Sequence, residues 1–118
     1  TGTSFVQCDG DEMRHIGGIG IGGGTLAGLS RLLLNTSDIK AVSAMAMQGD
    51  IRNMNLRIGD ISAEPLPGLP MEATASILAK AKSDASKEDI AEGIISMVLQ
   101  TIGSAAWLSR QDNLNNIA

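Results

Sequence analysis

The stretch RHIGGIGIGGGTLAGL, from Arg14 to Leu29, places seven glycines in sixteen residues, immediately before a leucine-rich segment. Residues 17–24 are called the glycine segment below. Glycine loses more conformational entropy on folding than any other residue, so this density requires a local reason. One interpretation is a tight bend between a strand and a helix. The other is a backbone cradle whose N–H groups bind phosphate at a helix N-terminus. The composition of the stretch favours neither interpretation over the other.

The sequence GGGT at residues 22–25 gives the phosphate interpretation its most specific form. Glycines let N–H groups approach an anion, and the Thr25 hydroxyl can either cap the helix or donate to a phosphate oxygen. The stretch also contains Gly18-x-Gly20-x-x-Gly23, a dinucleotide-binding pattern. That match is weak, because it follows a predicted hairpin strand, whereas the pattern belongs after the first strand of a βαβ unit.

The composition is typical of one globular domain, with 118 residues, of which 43% are hydrophobic and 19% charged. A net charge of −4, the lack of basic runs and the presence of only two aromatic residues argue against a nucleic-acid partner. The single cysteine excludes an internal disulfide. We recognise no signal peptide and no apolar run of transmembrane length, so we expect a cytoplasmic protein without a membrane partner.

The first half of the chain predicts a hairpin followed by two helices. Asp9-Gly10 is a strong turn signal within residues 1–16, which we expect to form a β-hairpin. A helix is predicted over residues 25–35, with one apolar face made of Leu26, Leu29, Leu32 and Leu33. A second helix is predicted from a cap at Ser37 or Asp38 to Gly49, with packing positions at Ile39, Val42, Met45 and Ala46.

The second half of the chain predicts mostly helix. Residues 55–61 could be extended, residues 64–70 form a proline-rich loop, and a helix is expected over residues 71–82, with Ala73, Ile77 and Leu78 facing inward. The sequence Ser86-Lys87-Glu88-Asp89 matches a capping box at the start of the longest helix, residues 87–110. This helix carries an apolar stripe made of Ile90, Ile94, Val98, Ile102 and Ala105. Because it is apolar around much of its circumference, we expect it to be buried in a larger domain or against a partner chain.

Few side chains outside the glycine segment suggest chemistry. The TGTS turn, residues 1–4, is a second small-residue turn, and a phosphate chain could lie between it and the glycine segment. His15 is the only histidine and is more often structural than catalytic, and Cys8 is expected to be a small packed hydrophobe. Arg14 and His15 point to opposite faces of a strand, so only one can face a given site. The carboxylates form no evident pair, and we predict no metal site.

Three stretches resemble, in order and spacing, the type II (fumble-like) pantothenate kinases: the TGTS turn with RHIGGIGIGGGTLAGLSRLLL, then GLPMEATAS, then SKEDIAEGIISMVLQTIGSAA. The resemblance implies an α/β fold, part of an actin-like ATPase (ribonuclease H-like) domain, with ATP, Mg²⁺ and pantothenate bound between two lobes. It also implies coenzyme A or acyl-CoA as a feedback ligand, and a homodimer formed through the helix of residues 87–110. Residues 1–118 would be one partial domain from the middle to the C-terminal lobe, with residues 1–24 as hairpin and phosphate turns and residues 25–118 as the helical portion.

The resemblance also implies site residues. The nucleotide-phosphate loop would be Gly22, Gly23, Gly24 and Thr25, and the second phosphate turn would be Thr1, Gly2, Thr3 and Ser4. The first phosphate loop and the general-base glutamate would belong to a missing N-terminal lobe, and the last strands would be missing too, so the fragment by itself would be inactive.

Two departures from the family pattern bear on the site. His15 stands where the family has arginine, with Arg14 one place earlier, and a one-residue bulge could let Arg14 substitute. Ile77 and Leu78 follow TAS where the family tends to have Phe-Gly. The alternatives are a non-catalytic nucleotide-binding or dimerisation relative, or another enzyme of the superfamily, such as a different small-molecule kinase or a dehydratase activator, which would need a cysteine pair.

Overall fold

The computed structural model describes the backbone of residues 2–117 and the side chains of residues 2–110. Two strands, β1 (Thr3–Asp9) and β2 (Glu12–Ile19), precede helices α1 (Gly23–Leu34) and α2 (Ile39–Met47). A 3-10 turn (Ile51–Asn53), strand β3 (Leu56–Arg57), the short helix α3 (Ile58–Ile61) and strand β4 (Thr74–Ser76) lead to the long helix α4 (Lys87–Ile117). The mixed α/β class with an N-terminal hairpin is therefore confirmed.

The hairpin is antiparallel and longer than predicted, because β2 continues through Gly17 and Gly18 to Ile19. Its turn is the predicted one, with Gly10 at a φ of 62°. Phe5 pairs with Gly17 whereas Val6 pairs with His15, so Ile16 is an extra residue on β2 and forms a β-bulge. The first two glycines of the glycine segment are thus strand residues, and only its second half forms the bend into α1.

The core lies where α1 and α2 pack against α4. Its buried members are Leu34, Val42, Ala46, Ala91 and Ile94, and Leu26, Leu29, Met45, Ile90 and Ile95 pack around them. The predicted face of α1 is partly wrong, because Leu32 and Leu33 are 81% and 50% exposed. Ser30 and Leu34 are buried instead, at successive spacings of four from Leu26. The buried Ser30 hydroxyl has a hydrogen-bond partner, because it donates to the Leu26 carbonyl at 2.7 Å.

Two residues of the predicted stripe of α4, Ile94 and Val98, are buried, and its other members are half-buried. Ala91, which the stripe did not include, is also buried. By length and composition alone, residues Lys87–Arg110 are apolar enough to cross a membrane, with a mean hydropathy of 1.2. A single helix of this kind is weak support for a membrane span, since a core helix passes the same test. Ala91 and Ile94 pack in the core with α1 and α2, and 22% of the apolar window is buried.

The helix predicted over residues 71–82 is wrong. Residues 74–76 form β4 and pair with β3, Leu56 opposite Ser76 and Arg57 opposite Thr74. Backbone groups that a helix would bond internally are used in tertiary contacts: Ala73 accepts from the N–H of Ile58 at 2.9 Å, and Met71 from that of Gly59 at 2.8 Å. The expected extended segment 55–61 is correspondingly β3 followed by α3.

Leu78, two residues after β4, has a backbone conformation that a right-handed helix cannot contain. Its φ is 63°, in the left-handed region that favours glycine, and its N–H donates to Oδ1 of Asn55 at 3.0 Å. Asn55 is 1% exposed, and its Nδ2 has no partner among the described residues. A Cβ built on Gly93 of α4 would lie 3.1 Å from Cδ2 of Leu78 and 3.2 Å from Cε of Met54. Gly93 therefore provides the space into which these two side chains pack.

We expect Gly93→Ala to lower the free energy of unfolding by about 1–2 kcal/mol, because the added methyl group overpacks this contact by more than the helix propensity of alanine returns. Gly28→Ala is the matched control, since in α1 the nearest atom to its Cβ is Nη2 of Arg31 at 3.9 Å. That variant should gain up to about 1 kcal/mol. Urea unfolding of both variants measures the difference, and equal gains at the two positions would contradict the packing described for Gly93.

The start of α4 is attached to the preceding loop by Asp89. Its N–H donates to Oγ of Ser86 at 3.1 Å, which is one half of the predicted capping box. The Asp89 carboxylate accepts from the N–H of Asp50 at 2.8 Å and from Nδ2 of Asn53 at 2.9 Å. These two hydrogen bonds, the Asp50 N–H first, lower the pKa of Asp89. Hydrogen bonds from Arg52 lower the pKa of Asp50 from 3.8 to about 2.

Because these pKa values are lower in the folded than in the unfolded chain, both carboxylates contribute stability above the unfolded pKa and lose it as the pH falls through the folded pKa. Asp89→Asn should lower the free energy of unfolding at pH 7, measured by urea, by no more than about 1 kcal/mol, because the carboxylate is only half-buried. The difference from wild type should shrink as the pH falls below 3.8 and through the lower folded pKa of Asp89. Asp11→Asn, in the hairpin turn, is the control, and a difference that does not shrink on acidification would refute the assignment.

Candidate functional site

The TGTS turn and the glycine segment lie against each other, backbone to backbone. The hydroxyl of Thr3 donates to the carbonyl of Ile21 at 2.7 Å, across 18 positions of sequence. Gly2 has a φ of 76°, and a Cβ there would collide with the carbonyl of Ile19. A Cβ on Gly22 would lie 2.5 Å from the carbonyl oxygen of Gly2. Only residues without side chains allow this approach, so both glycines have a steric reason to be present.

The bend after β2 opens directly into α1. Gly22, buried and in extended conformation, is the N-cap residue, and the first intrahelical bond runs from the N–H of Leu26 to the carbonyl of Gly22 at 3.0 Å. The N–H groups of Gly23, Gly24 and Thr25 therefore have no acceptor within the helix. Gly23 and Gly24 are exposed, with no atom within 4 Å of a built Cβ.

This helix N-terminus carries no acidic residue in its first turn. An α-helix places about half a positive charge at its N-terminus, and acidic side chains in the first turn usually offset it. In α1 the first turn has no such carboxylate, and its first two residues, Gly23 and Gly24, are exposed. That arrangement has the geometry and the charge to bind an anion.

The Thr25 hydroxyl is used inside the bend. It accepts from the N–H of Gly22 at 3.1 Å and donates to the carbonyl of Gly20 at 3.2 Å. Of the two roles open to it from sequence, the capping role is the one seen. Thr1 lies outside the described residues, so the part of the TGTS turn that can be placed is Gly2, Thr3 and Ser4.

The bulge at Ile16 decides which of Arg14 and His15 shares a face with the TGTS turn. Cross-strand partners lie on the same face, and the register pairs Ser4 with Gly18, Val6 with His15 and Gln7 with Arg14. His15 is therefore on the face of Ser4, whereas Arg14 is on the opposite face, where its Nη2 donates to Oε1 of Gln7 at 2.9 Å. Without the extra residue the alternation from Gly18 would have placed Arg14 on the face of Ser4.

The face that carries His15 is open. Ser4, Val6, Cys8 and His15 are all exposed. The expectation that Cys8 is a packed hydrophobe is thus wrong, because the face of β1 that packs is the other one, with half-buried Thr3, Phe5 and Gln7. Among the residues that the structure describes, no three His, Cys, Asp or Glu side chains come together as a metal site.

Two groups near these elements escaped prediction from the sequence. The tie between Thr3 and Ile21 joins residues whose contact depends on the hairpin register, and no local signal indicates it. The hydrogen bond from the N–H of Leu78 to the buried Asn55 is equally long-range, since it joins residues 23 positions apart.

The sequence model of the Fumble family matches residues 1–118. This chain belongs to the Fumble family. It is 32% identical to a type II pantothenate kinase of Staphylococcus epidermidis over 124 residues, 99% of the chain and 46% of the relative. It is 31% identical to one of Staphylococcus haemolyticus with the same coverage, and 40% identical to one of Staphylococcus aureus over 76 residues, 64% of the chain and 28% of the relative. The chain spans about half the length of the first two of these relatives.

The backbone contact between Gly2 and Gly22 predicts that the two positions tolerate no side chain. Gly22→Ala should destabilise the junction by about 1–3 kcal/mol, because the methyl group has only backbone atoms to displace. Gly20→Ala is the matched control in the same bend, since nothing lies within 4 Å of its built Cβ. Urea unfolding followed at the hairpin should show a loss for Gly22→Ala alone; comparable midpoints for the two variants would show that the turns are not held this closely.

Proposed function

We propose that the protein containing this chain is an ATP-dependent pantothenate kinase, which transfers a phosphoryl group to the primary hydroxyl of pantothenate, the first step of coenzyme A synthesis. The observation that carries the proposal is the junction of the TGTS turn with the glycine segment at an uncompensated helix N-terminus. Membership of the Fumble family and similarity to the staphylococcal type II pantothenate kinases support the substrate.

Phosphoryl transfer is catalysed mainly by positioning and by electrostatic stabilisation, which this junction can supply. The N–H groups of Gly23, Gly24 and Thr25 would hold phosphate oxygens of ATP, where the dipole of α1 favours negative charge. Gly2, Thr3, Ser4 and Thr1 would form the second turn beside the transferred phosphoryl group. The actin-like arrangement of two lobes, with ATP between them, is part of this proposal.

Mg²⁺ is the metal that ATP brings to such a reaction, and it would supply charge neutralisation at the phosphates. The described part of the chain offers no cluster of carboxylates to hold it. No step is therefore assigned to the metal here. We place the general base and the magnesium-linked aspartate in the remaining half of the protein, so residues 1–118 by themselves are expected to be inactive.

The clamp on the substrate or the transferred group is assigned to the strand position occupied by His15. Its imidazole lies on the exposed face of Ser4, whereas Arg14 lies on the other face beside Gln7. For Arg14 to take that role, β2 would have to lose its bulge. A histidine lacks the bidentate fork of arginine, so a weaker hold on an anionic group follows.

The partners in this proposal are pantothenate as substrate, coenzyme A or an acyl-CoA as feedback ligand, and a second copy of the protein. From its middle onward, α4 exposes Leu99, Trp107 and Leu108, which supports a homodimer formed through this helix. The proposal also includes a cytoplasmic location and no nucleic-acid or membrane partner.

His15 also favours a second candidate, a relative that binds nucleotide or forms dimers without turnover, because a weakened clamp would spare binding and impair transfer. Another small-molecule kinase of the same superfamily would keep the phosphate junction and change only the acceptor.

The test is ATP-dependent phosphorylation of pantothenate by the full-length protein, with His15→Arg measured alongside. We expect turnover in wild type and an increase of about tenfold in kcat/KM with arginine, the gain expected from one charge-assisted bidentate contact. Arg14→Gln is the control and should change kcat/KM by less than about threefold, because its side chain faces away. Activity only in His15→Arg would favour the non-catalytic relative, and ATP binding without transfer in both would exclude pantothenate as the substrate.

A further inference from the structure

We propose that the hydroxyls of Thr3 and Thr25 are positioning groups that fix the shape of the glycine segment and do not contact the phosphate. They are called the latch hydroxyls below. Their role toward a phosphate rests on the proposed function, whereas the latches themselves rest on hydrogen bonds within the described residues.

Both latch hydroxyls have already used their single hydrogen. A threonine hydroxyl carries one O–H donor, and a phosphate oxygen can only accept. Thr3 donates to the carbonyl of Ile21 at 2.7 Å, the usual O–H···O distance, and Thr25 donates to the carbonyl of Gly20 at 3.2 Å, a longer and weaker contact. What each hydroxyl still presents outward is lone pairs, which repel an anion.

The two carbonyls that receive these hydrogens are neighbours in the bend. The oxygens of Gly20 and Ile21 carry negative partial charge, and they would weaken anion binding if they turned toward the phosphates. Thr25, in the first turn of α1, donates to the carbonyl of Gly20, and Thr3, in β1, donates to the carbonyl of Ile21. The bend thereby keeps its acceptors engaged and leaves its free donors at the helix N-terminus.

Thr25 also binds an N–H group of the bend itself. The N–H of the buried Gly22 donates to Oγ1 of Thr25 at 3.1 Å. Together the latches connect β1, the bend and α1 through a backbone that has almost no side chains of its own. A glycine-rich bend without such ties would sample many conformations, and ordering it on binding would reduce affinity.

The first test measures amide exchange in the full-length protein without nucleotide. Thr25→Val keeps the shape and removes the hydroxyl, so the N–H of Gly22 should exchange about tenfold faster, the effect of losing roughly one hydrogen bond. Thr25→Ser should stay within about threefold of wild type. The control is Thr36→Val, which removes a hydroxyl that accepts the N–H of Asp38 at 3.2 Å outside the bend, and it should leave Gly22 unchanged.

A hydroxyl that only binds phosphate would leave this exchange unaffected, so unchanged exchange at Gly22 in Thr25→Val overturns the proposal. Thr3→Val repeats the measurement on the second latch and keeps the test decisive if Thr25→Val does not fold. Thr3→Val should also speed exchange at Gly22, and Thr3→Ser should restore it; no effect of either substitution would overturn the role of Thr3.

The second test is kinetic. Each valine variant should lower kcat/KM for ATP by about tenfold to a hundredfold, chiefly through KM, and each serine variant should recover most of it. Loss in valine with no recovery in serine would overturn the proposal. If wild type phosphorylates no pantothenate, the proposed function fails, and the exchange measurements still decide whether the latches exist.

Discussion

The close backbone approach of Gly2 to Gly22 is the constraint on which the candidate site depends. It brings the start of β1 to the start of α1, and it is possible only because neither position has a Cβ. The hairpin register determines which residues meet at this contact, since Thr3 pairs with Ile19 at the end of β2. The Thr3 hydroxyl then fixes the contact by its bond to Ile21. A shift of one residue in the register would separate the two turns.

The two main helix N-termini of the chain show opposite solutions to the same electrostatic problem. Helix α4 begins with Glu88 and Asp89 in its first turn, and Asp89 is engaged by Asp50 and Asn53, so its positive end is compensated within the protein. Helix α1 begins with two glycines and Thr25 and has no acid there. The first is therefore a structural attachment, and the second has the properties of an anion site.

The region between α3 and α4 shows how tertiary contacts override local preference. Residues 71–82 contain apolar residues at helical spacing, yet β4 pairs with β3 and Leu78 adopts a left-handed conformation. That conformation costs roughly 1–2 kcal/mol in a residue with a side chain. The bond from its N–H to Asn55 and the packing of its side chain at Gly93 offset this cost.

The sequence by itself determined the elements whose signals are local. The Asp9-Gly10 turn, the cap of α2 at Asp38, the start of α4 at Ser86 and the stripe through Ile94 and Val98 are all found where local patterns predict them. The glycine segment likewise predicted a bend that opens a helix, and its motif order identified the family.

Only the tertiary structure decided how these elements meet. The bulge at Ile16 exchanges the faces of Arg14 and His15, and it depends on the register of both strands. Ser30 and Leu34 are buried on α1, and Leu32 and Leu33 are left exposed, because α4 crosses that side. The Thr3 hydroxyl donates to the carbonyl of Ile21, 18 positions away, and no sequence spacing connects the two. The physical reason is common to all three: each depends on contacts between distant segments, which local periodicity does not encode.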